Sequence, residues 1–592
     1  MRTRIVTVAL LLLTLPSAPR AAGGETKLSP AALDALVEGY FDEGLQLFPL
    51  DATAIADSRY DDRLPNDISE EHRARQRAYY TKYLEALSKI DRAQLAGQNR
   101  LSYDVLEREL ASNLEALSFD NHLTPINQLG DSLPIRFARL GSGAGVHPFK
   151  TIRDYENFLG RVKDFHAWTD TAIANMRVGL ASGIVQPRVV MEKALKQYDD
   201  LIVADVKQSV FFKPVANMPG FGEQDRARLT ALYVQAIEGQ VLPAYRKLRA
   251  FIRDEYLPKS RQTVGLAALP KGGEQYAYLA RHYTTTSMTP DEIFQTGLNE
   301  VRRIRGEMEK VKKQVGFKGD LKAFLEHVRT DPKFHPYSSP EEVLRVYQSV
   351  EARIQPHLPK LFGITPKAKF EVRLVEPFIA ATSAAHYMSG APDGSRPGVF
   401  YVPVPDAKRY DATRVESLFL HEAIPGHHYQ ISLQQEQAGL PKFRQFGGFG
   451  AYVEGWALYT EGLGGELGLY TDPYQYLGRL GAEMHRAVRL VVDVGMHTKN
   501  WTRERAIQYS LENEAIDEPR AASEIERYIA RPGQALSYKI GELKILELRR
   551  KAEKALGRKF DLRAFHDEIL KDGALPLDVL EAKMNAWIAS RR

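Results

Sequence analysis

The chain has 592 residues and no cysteine, with 80 basic against 75 acidic residues and a formal charge of +5. So small an excess, with no concentrated basic stripe, gives no case for nucleic-acid recognition. An apolar share of 44% beside a charged share of 26% excludes a fibrous repeat or long disorder, and the lack of cysteine excludes disulfides and lipid-modified cysteine.

At the N-terminus, Arg2 and Arg4 precede an apolar run from Ile5 to Leu15, followed by Pro16 and small residues through Gly24. That order is the pattern of a secretory signal peptide over residues 1–24. The run falls short of the roughly 20 apolar residues a bilayer crossing needs, and no later segment reads as a span. An exported protein, periplasmic or extracellular, with no stable membrane span is expected.

Helical patterns follow. Ser29-Pro30 has the form of a cap with proline at the first helical position, and Leu33, Leu36, Val37, Tyr40 and Phe41 then share one face. Thr289-Pro-Asp-Glu292 opens another helix as a capping box. The segments 70–117, 150–208, 225–256 and 540–592 carry the same periodicity. The texture changes between about residues 369 and 404. Phe370–Leu374 alternates with period two and Val399–Val402 is a second strand candidate, with a dense turn segment, Ser389–Gly398, between them. A small sheet or hairpin is expected just ahead of a helical stretch. The expected fold class is therefore mainly α, with a small β-sheet beside the metal-binding helix. It divides into a helical part over 25–368, a catalytic part over 369–545, and C-terminal helices over 546–592 packed on the same body.

Chemistry concentrates in Thr413-Arg-Val-Glu-Ser-Leu-Phe-Leu-His421-Glu422-Ala-Ile-Pro425-Gly426-His427-His428. Thr413 and Glu416 have capping-box spacing, so a helix is expected to start there. The zinc-protease pattern H-E-x-x-H puts histidines at i and i+4 on one helical face. Here the fourth position after His421 is Pro425, so the motif reads as H-E-x-x-H with two residues inserted. Proline at that point breaks the helical ladder, and Gly426 accepts dihedrals that a bulge requires. Two looped-out residues would return His427 to the face of His421. In an unbroken helix His428 would be nearly in line with His421 but roughly 10 Å along the axis, too far to share a metal. His427 is the favoured second ligand and His428 the alternative.

A third ligand for a zinc site that keeps an open position is available from Glu454 or Glu461, seven apart on one face of a helix. Glu454 is favoured, with Glu461 as an outer or ion-pairing group. Glu422 is the natural general base for attack of water on a carbonyl. Downstream, Asp493 and His497 have i, i+4 spacing, so the carboxylate could fix the imidazole, and His497 could donate to a developing oxyanion. Tyr528 and Tyr538 offer phenolic donors, while Arg527 and Lys539 could meet a substrate carboxylate. Trp456 and Tyr459 read as core. No Walker loop and no G-x-S-x-G elbow is present, and Gly141–Gly145 lacks the spacing of a dinucleotide loop.

The segments His421–His428, Glu454–Tyr459, Asp493–His497, Pro532–Gly541 and Asp393–Gly398 together resemble the bacterial domain-of-unknown-function family eight-eight-five. That family is grouped with gluzincin-like metallopeptidases. The resemblance implies a helical fold around a deep cleft, with His421, His427 and Glu454 on zinc and Glu422 as base. It also implies His497 and Tyr538 as transition-state donors, and an edge strand at Val399–Val402 offered to an extended peptide. Tyr401 in that strand, Arg396 ahead of it and Arg527 are the corresponding candidate substrate contacts. The expected function is zinc-dependent hydrolysis of short peptides. The alternatives are a zinc amidase on non-peptide or cell-wall amides, and a metal-containing binding protein without catalysis.

Overall fold

The apolar periodicity that fills most of the sequence folds as helices, and the protein is mainly α with one small sheet. The computed structural model describes residues 31–375, 380, 384–390 and 396–592. The signal segment, the Ser29-Pro30 cap and part of the Ser389–Gly398 turn lie outside them. No helix among the described residues is long and apolar enough to cross a membrane.

In the N-terminal part, the long helix α1 (Ile152–Ser182) starts on a capping box from Thr151 and Asp154 and ends at Gly183 in the left-handed region. Helix α2 (Pro290–Gln314) starts on the capping box that its sequence predicts. Thr289 Oγ1 accepts from the Glu292 N–H, and the Glu292 carboxylate accepts from the Thr289 N–H.

The sheet contains β1 (Phe370–Leu374), β2 (His386–Met388) and β3 (Gly398–Val402), in the order β1-β3-β2. β3 pairs parallel with β1 and antiparallel with β2. The two strands seen in the sequence are thus neighbours but not a hairpin. β3 is the central strand, with both sides hydrogen-bonded, so Val399–Val402 does not offer a free edge; the edges are β1 and β2.

Five helices build the rest of the site: α3 (Val415–Glu422), α4 (His427–Gln435), α5 (Gly450–Glu461), α6 (Pro473–Thr498) and α7 (Glu518–Ala530), followed by α8 (Ser537–Leu556). The α3 start differs from the expected capping box. Asp411 accepts from the backbone and hydroxyl of Thr413, while the Glu416 carboxylate accepts from Arg353 and from the Tyr470 N–H. With both box residues engaged elsewhere, α3 begins without a side-chain cap. Helix α6 is the axis of this region, and α2 packs along it. From Ala487 to His497 it is buried all round, so its polar groups there must find partners inside the protein. Helices α5 and α8 cross almost backbone to backbone. A Cβ on Gly541 would lie 1.9 Å from the Ala451 carbonyl oxygen, and one on Gly455 would lie 2.5 Å from the Gly541 backbone. This approach sets Glu454, beside Gly455, close to the start of α8. One continuous apolar cluster runs from Leu33 to Ile588, and α8 runs unbroken through residue 545.

Candidate metal centre

Helix α3 ends at Glu422 and a new helix starts at His427, so the motif is two helices separated by a break and not one bulged helix. Ala423 (φ −109°, ψ −109°) leaves the helical region, and the Ile424–Pro425 bond is cis. Gly426 is required by contact: a Cβ there would lie 2.0 Å from the His421 carbonyl oxygen. The carbonyls freed by the break are taken up by α5. Trp456 Nε1 donates to Pro425 O (2.9 Å) and Thr460 Oγ1 to Leu420 O (2.9 Å). Those two bonds hold the break against the helix that carries the third candidate ligand. Trp456 and Tyr459 are buried, as their apolar surroundings predict.

His421, His427 and Glu454 converge, with their donor atoms within 4.8 Å of one another. Glu454 Oε2 lies 3.5 Å from Nε2 of His421 and 3.5 Å from Nε2 of His427. Donors at about 2.0–2.1 Å from a tetrahedral ion stand about 3.3 Å apart, so this spacing fits a metal. Glu454 Oε2 is buried with no hydrogen-bond partner among the described residues, a costly condition for a carboxylate oxygen unless another positive group meets it. On the far side, His421 Nδ1 donates to Glu461 Oε1 at 2.8 Å. That bond leaves Nε2 facing Glu454, the arrangement in which an outer carboxylate orients a metal-binding imidazole. Burial opposes charge on His421, but Glu454 and Glu461 outweigh it and raise its pKa to about 9. Burial likewise pushes the Glu454 carboxyl up, and the adjacent imidazoles of His421 and His427 overcome that and hold it well below the usual range.

His428 turns the other way. Its Nδ1 meets the Tyr387 hydroxyl (3.0 Å) and Ser432 Oγ (3.3 Å), its ring packs on Phe370 of β1, and burial lowers its pKa to about 4. It ties α4 to the sheet. Glu422, adjacent to His421, is 8% exposed and makes no hydrogen bond through its carboxylate among the described residues.

His497 is corrected as an oxyanion donor. Leu266 N–H donates to its Nδ1 (3.1 Å), and its Nε2 donates to Tyr528 O (3.1 Å). Burial lowers its pKa to about 3, so the ring is a neutral brace with both nitrogens engaged. Asp493 does not orient it. The aspartate accepts instead from the Tyr276 hydroxyl (2.5 Å) and the Gly533 N–H (3.0 Å), groups brought in by a neighbouring helix and by the turn ahead of α8.

Tyr538, at the start of α8, lies with the Arg489 guanidinium 4.6 Å from its ring centre and that of Arg486 at 5.9 Å. Arg486 Nη2 is also 3.8 Å from Glu461 Oε1, so Tyr538 stands one residue away from the outer carboxylate. Tyr528 is closed, donating to Glu524 (2.6 Å) and accepting from Arg489 (2.8 Å). Lys539 is buried among Glu483, Glu542 and Glu300 and cannot reach a substrate. Arg527 donates to Gln534 (2.9 Å), and exposed Arg396 to the Ser389 carbonyl (3.1 Å). Tyr401 of β3 stacks on His386 at 5.3 Å. None of these last three touches the His421–His427–Glu454 trio. The sequence reading missed Arg486 and Arg489; two arginines within an otherwise apolar helical run were the available signal.

The match of a family model decides the kinship: residues 49–584 fit the bacterial protein family of unknown function, DUF885. The chain belongs to that family. Its fold is also close to solved structures. A "putative lipoprotein" from Colwellia psychrerythraea is 29% identical, with a TM-score of 0.87, 95% of this chain and 99% of that chain being covered. A second, a "putative lipoprotein of unknown function" from Shewanella oneidensis, is 21% identical, with a TM-score of 0.75 over 93% of this chain and 99% of that one. No curated protein matches the chain.

Proposed function

We propose that this DUF885 chain is an exported metallopeptidase of gluzincin-like type that cleaves short peptides. One observation carries the reading: Glu454 Oε2, buried and without a donor, faces Nε2 of both His421 and His427 at 3.5 Å. Zinc is the ion best suited to two imidazoles and a carboxylate, and when held there it would act as a Lewis acid toward a carbonyl and a water. The residues around it have complementary tasks. Glu461 fixes the His421 ring. Glu422, with a free carboxylate next to His421, takes the proton of the attacking water and returns it to the leaving amine. Tyr538, whose hydroxyl has no hydrogen-bond partner among the described residues, donates to the oxygen that becomes negative. Export is supported by the N-terminal signal pattern and by the lipoprotein descriptions of the two similar structures.

The test pairs elemental analysis with a panel of short peptides and non-peptide amides, read by mass spectrometry. About one zinc per chain and peptide turnover are expected, with Glu422→Gln retaining the zinc and losing at least about 100-fold in rate, the scale of a general base. A metal-replete protein without zinc, or a Glu422→Gln variant with full turnover, overturns the reading.

A further inference from the structure

A cavity of about 750 Å³ opens between the start of α3, the first half of α6 and the segment leading into α7. Its wall includes Arg414, Gly481, His485, Glu514 and Arg520. The acids around it are already engaged. Glu514 meets His485 Nδ1 at 2.5 Å, Asp517 accepts from the Arg520 backbone N–H, and Asp411 accepts from Thr413. Arg414 and Arg520 form no ion pair among the described residues. The charge of Arg414 is the largest influence on Arg520 and lowers its pKa, with burial, against the opposite pull of Glu524 and Glu514, so two like charges lie near one another on this wall.

Two stripes lead from this cavity toward the metal centre. Along α3, Arg414 and Leu418 are the only residues from Thr413 to Glu422 that are not buried, and with Glu422 they fall at i, i+4 and i+8, on one face. Along α6, Gly481, His485 and Arg489 have the same spacing. Arg489 reaches the Tyr538 ring, and its Nη1 is buried without a partner. The cavity thus lies at one end of these two helix faces, and Glu422 and Tyr538 lie at the other.

Resting on the peptidase reading, we propose that this cavity receives the free C-terminal carboxylate of the peptide cut at the metal centre, with Arg414 and Arg520 as its grip. Two planar guanidiniums suit a carboxylate, which each can bind through paired N–H groups. A substrate's amino terminus would need acids free to turn toward it, whereas Glu514 is held by His485, and Asp517 and Asp411 are held by backbone N–H groups. Arg414 and Glu422 are about 12 Å apart along the helix axis, the length of three to four extended residues. Allowing for the reach of an arginine, the leaving fragment is a C-terminal di- or tripeptide, not a single amino acid.

The test uses the full chain, zinc-loaded, as Glu422→Gln so that binding is read without turnover. Two peptides identical except for a C-terminal carboxylate or carboxamide are titrated by fluorescence anisotropy, with a third carrying the amide and an internal glutamate. The free acid is expected to bind at least tenfold more tightly than either amide. The preference should fall below twofold in Arg414→Gln/Arg520→Gln and be partly kept in Arg414→Lys/Arg520→Lys, with thermal unfolding confirming that each variant is folded. Equal affinity for acid and amide, a preference untouched by the double substitution, rescue of binding by the internal glutamate, or no binding of any peptide overturns the subsite. Wild-type products separate the two ideas. Turnover without a carboxylate preference sinks the subsite and spares the peptidase; a preference without turnover does the reverse; release of single C-terminal residues refutes the spacing.

Discussion

Two buried clusters, both rich in histidine and carboxylate, are built on opposite rules. Around His497 every polar atom is answered. Its two nitrogens meet the backbone of Leu266 and Tyr528, and Asp493 meets Tyr276 and Gly533. Around His421 the pattern is left open, with Glu454 Oε2 buried and unpaired and Nε2 of both His421 and His427 facing it at 3.5 Å. Both clusters have the residue types of a catalytic site, and only their hydrogen-bond accounting separates them. Because a buried polar group without a partner costs about 1–3 kcal/mol, a fold that leaves such a carboxylate oxygen facing two imidazole nitrogens at metal-ligand spacing is arranged for something that completes it. A fully paired set acts as a brace.

The comparison breaks most sharply under paired substitutions. Glu454→Gln is expected to abolish stoichiometric zinc, weakening affinity by more than the roughly 10–100-fold seen for outer partners, while the unliganded protein stays folded. Zinc should stabilise wild type by linkage, by about 2.7 kcal/mol at 100 times Kd, and so raise its melting temperature, while leaving the variant unmoved. His497→Ala should do the opposite: zinc content unchanged, and a loss of about 3–5 kcal/mol from the cavity and two stranded backbone groups. Denaturant titration with elemental analysis reads both. Zinc retained by Glu454→Gln, or lost on His497→Ala, would erase the distinction. Between these extremes lies Glu461→Gln. It keeps the size of the side chain but weakens the bond to His421 Nδ1, and zinc affinity should drop about 10–100-fold by competition with a chelator.

The helices and the trio were legible in the sequence because each depends on local spacing: Thr289 and Glu292 cap the helix they begin, and Glu454 and Glu461, seven apart, both reach His421. The geometry of the break at Pro425 was not, because the carbonyls it frees are claimed by Trp456 and Thr460 from another helix. The Thr413–Glu416 box failed for a similar reason, since Arg353 and the Tyr470 N–H compete for the glutamate. The i, i+4 spacing of Asp493 and His497 says only that they share a face. Their actual partners, Tyr276 and Gly533 for the aspartate and Leu266 and Tyr528 for the histidine, come from segments remote in sequence, and no periodicity records them. The strand order was hidden because β2, three residues long, enters beside β3 and leaves β1 on its other side.

The smallest expected effect sharpens the same rule on arginines. Arg527 and Arg414 are both partly exposed, and the sequence alone marks Arg527 as the substrate contact. In the structure Arg527 donates to Gln534 and lies 3.9 Å from Glu524, whereas Arg414 forms no ion pair among the described residues. An arginine already satisfied by neighbours gains little from a substrate carboxylate, since binding would exchange one partner for another. Arg527→Ala should therefore change stability by about 0.5 kcal/mol or less and kcat/KM by less than twofold. A tenfold rise in KM with kcat unchanged would mark lost ground-state binding and return Arg527 to the substrate site, showing that pairing in the free protein does not separate bracing arginines from binding ones.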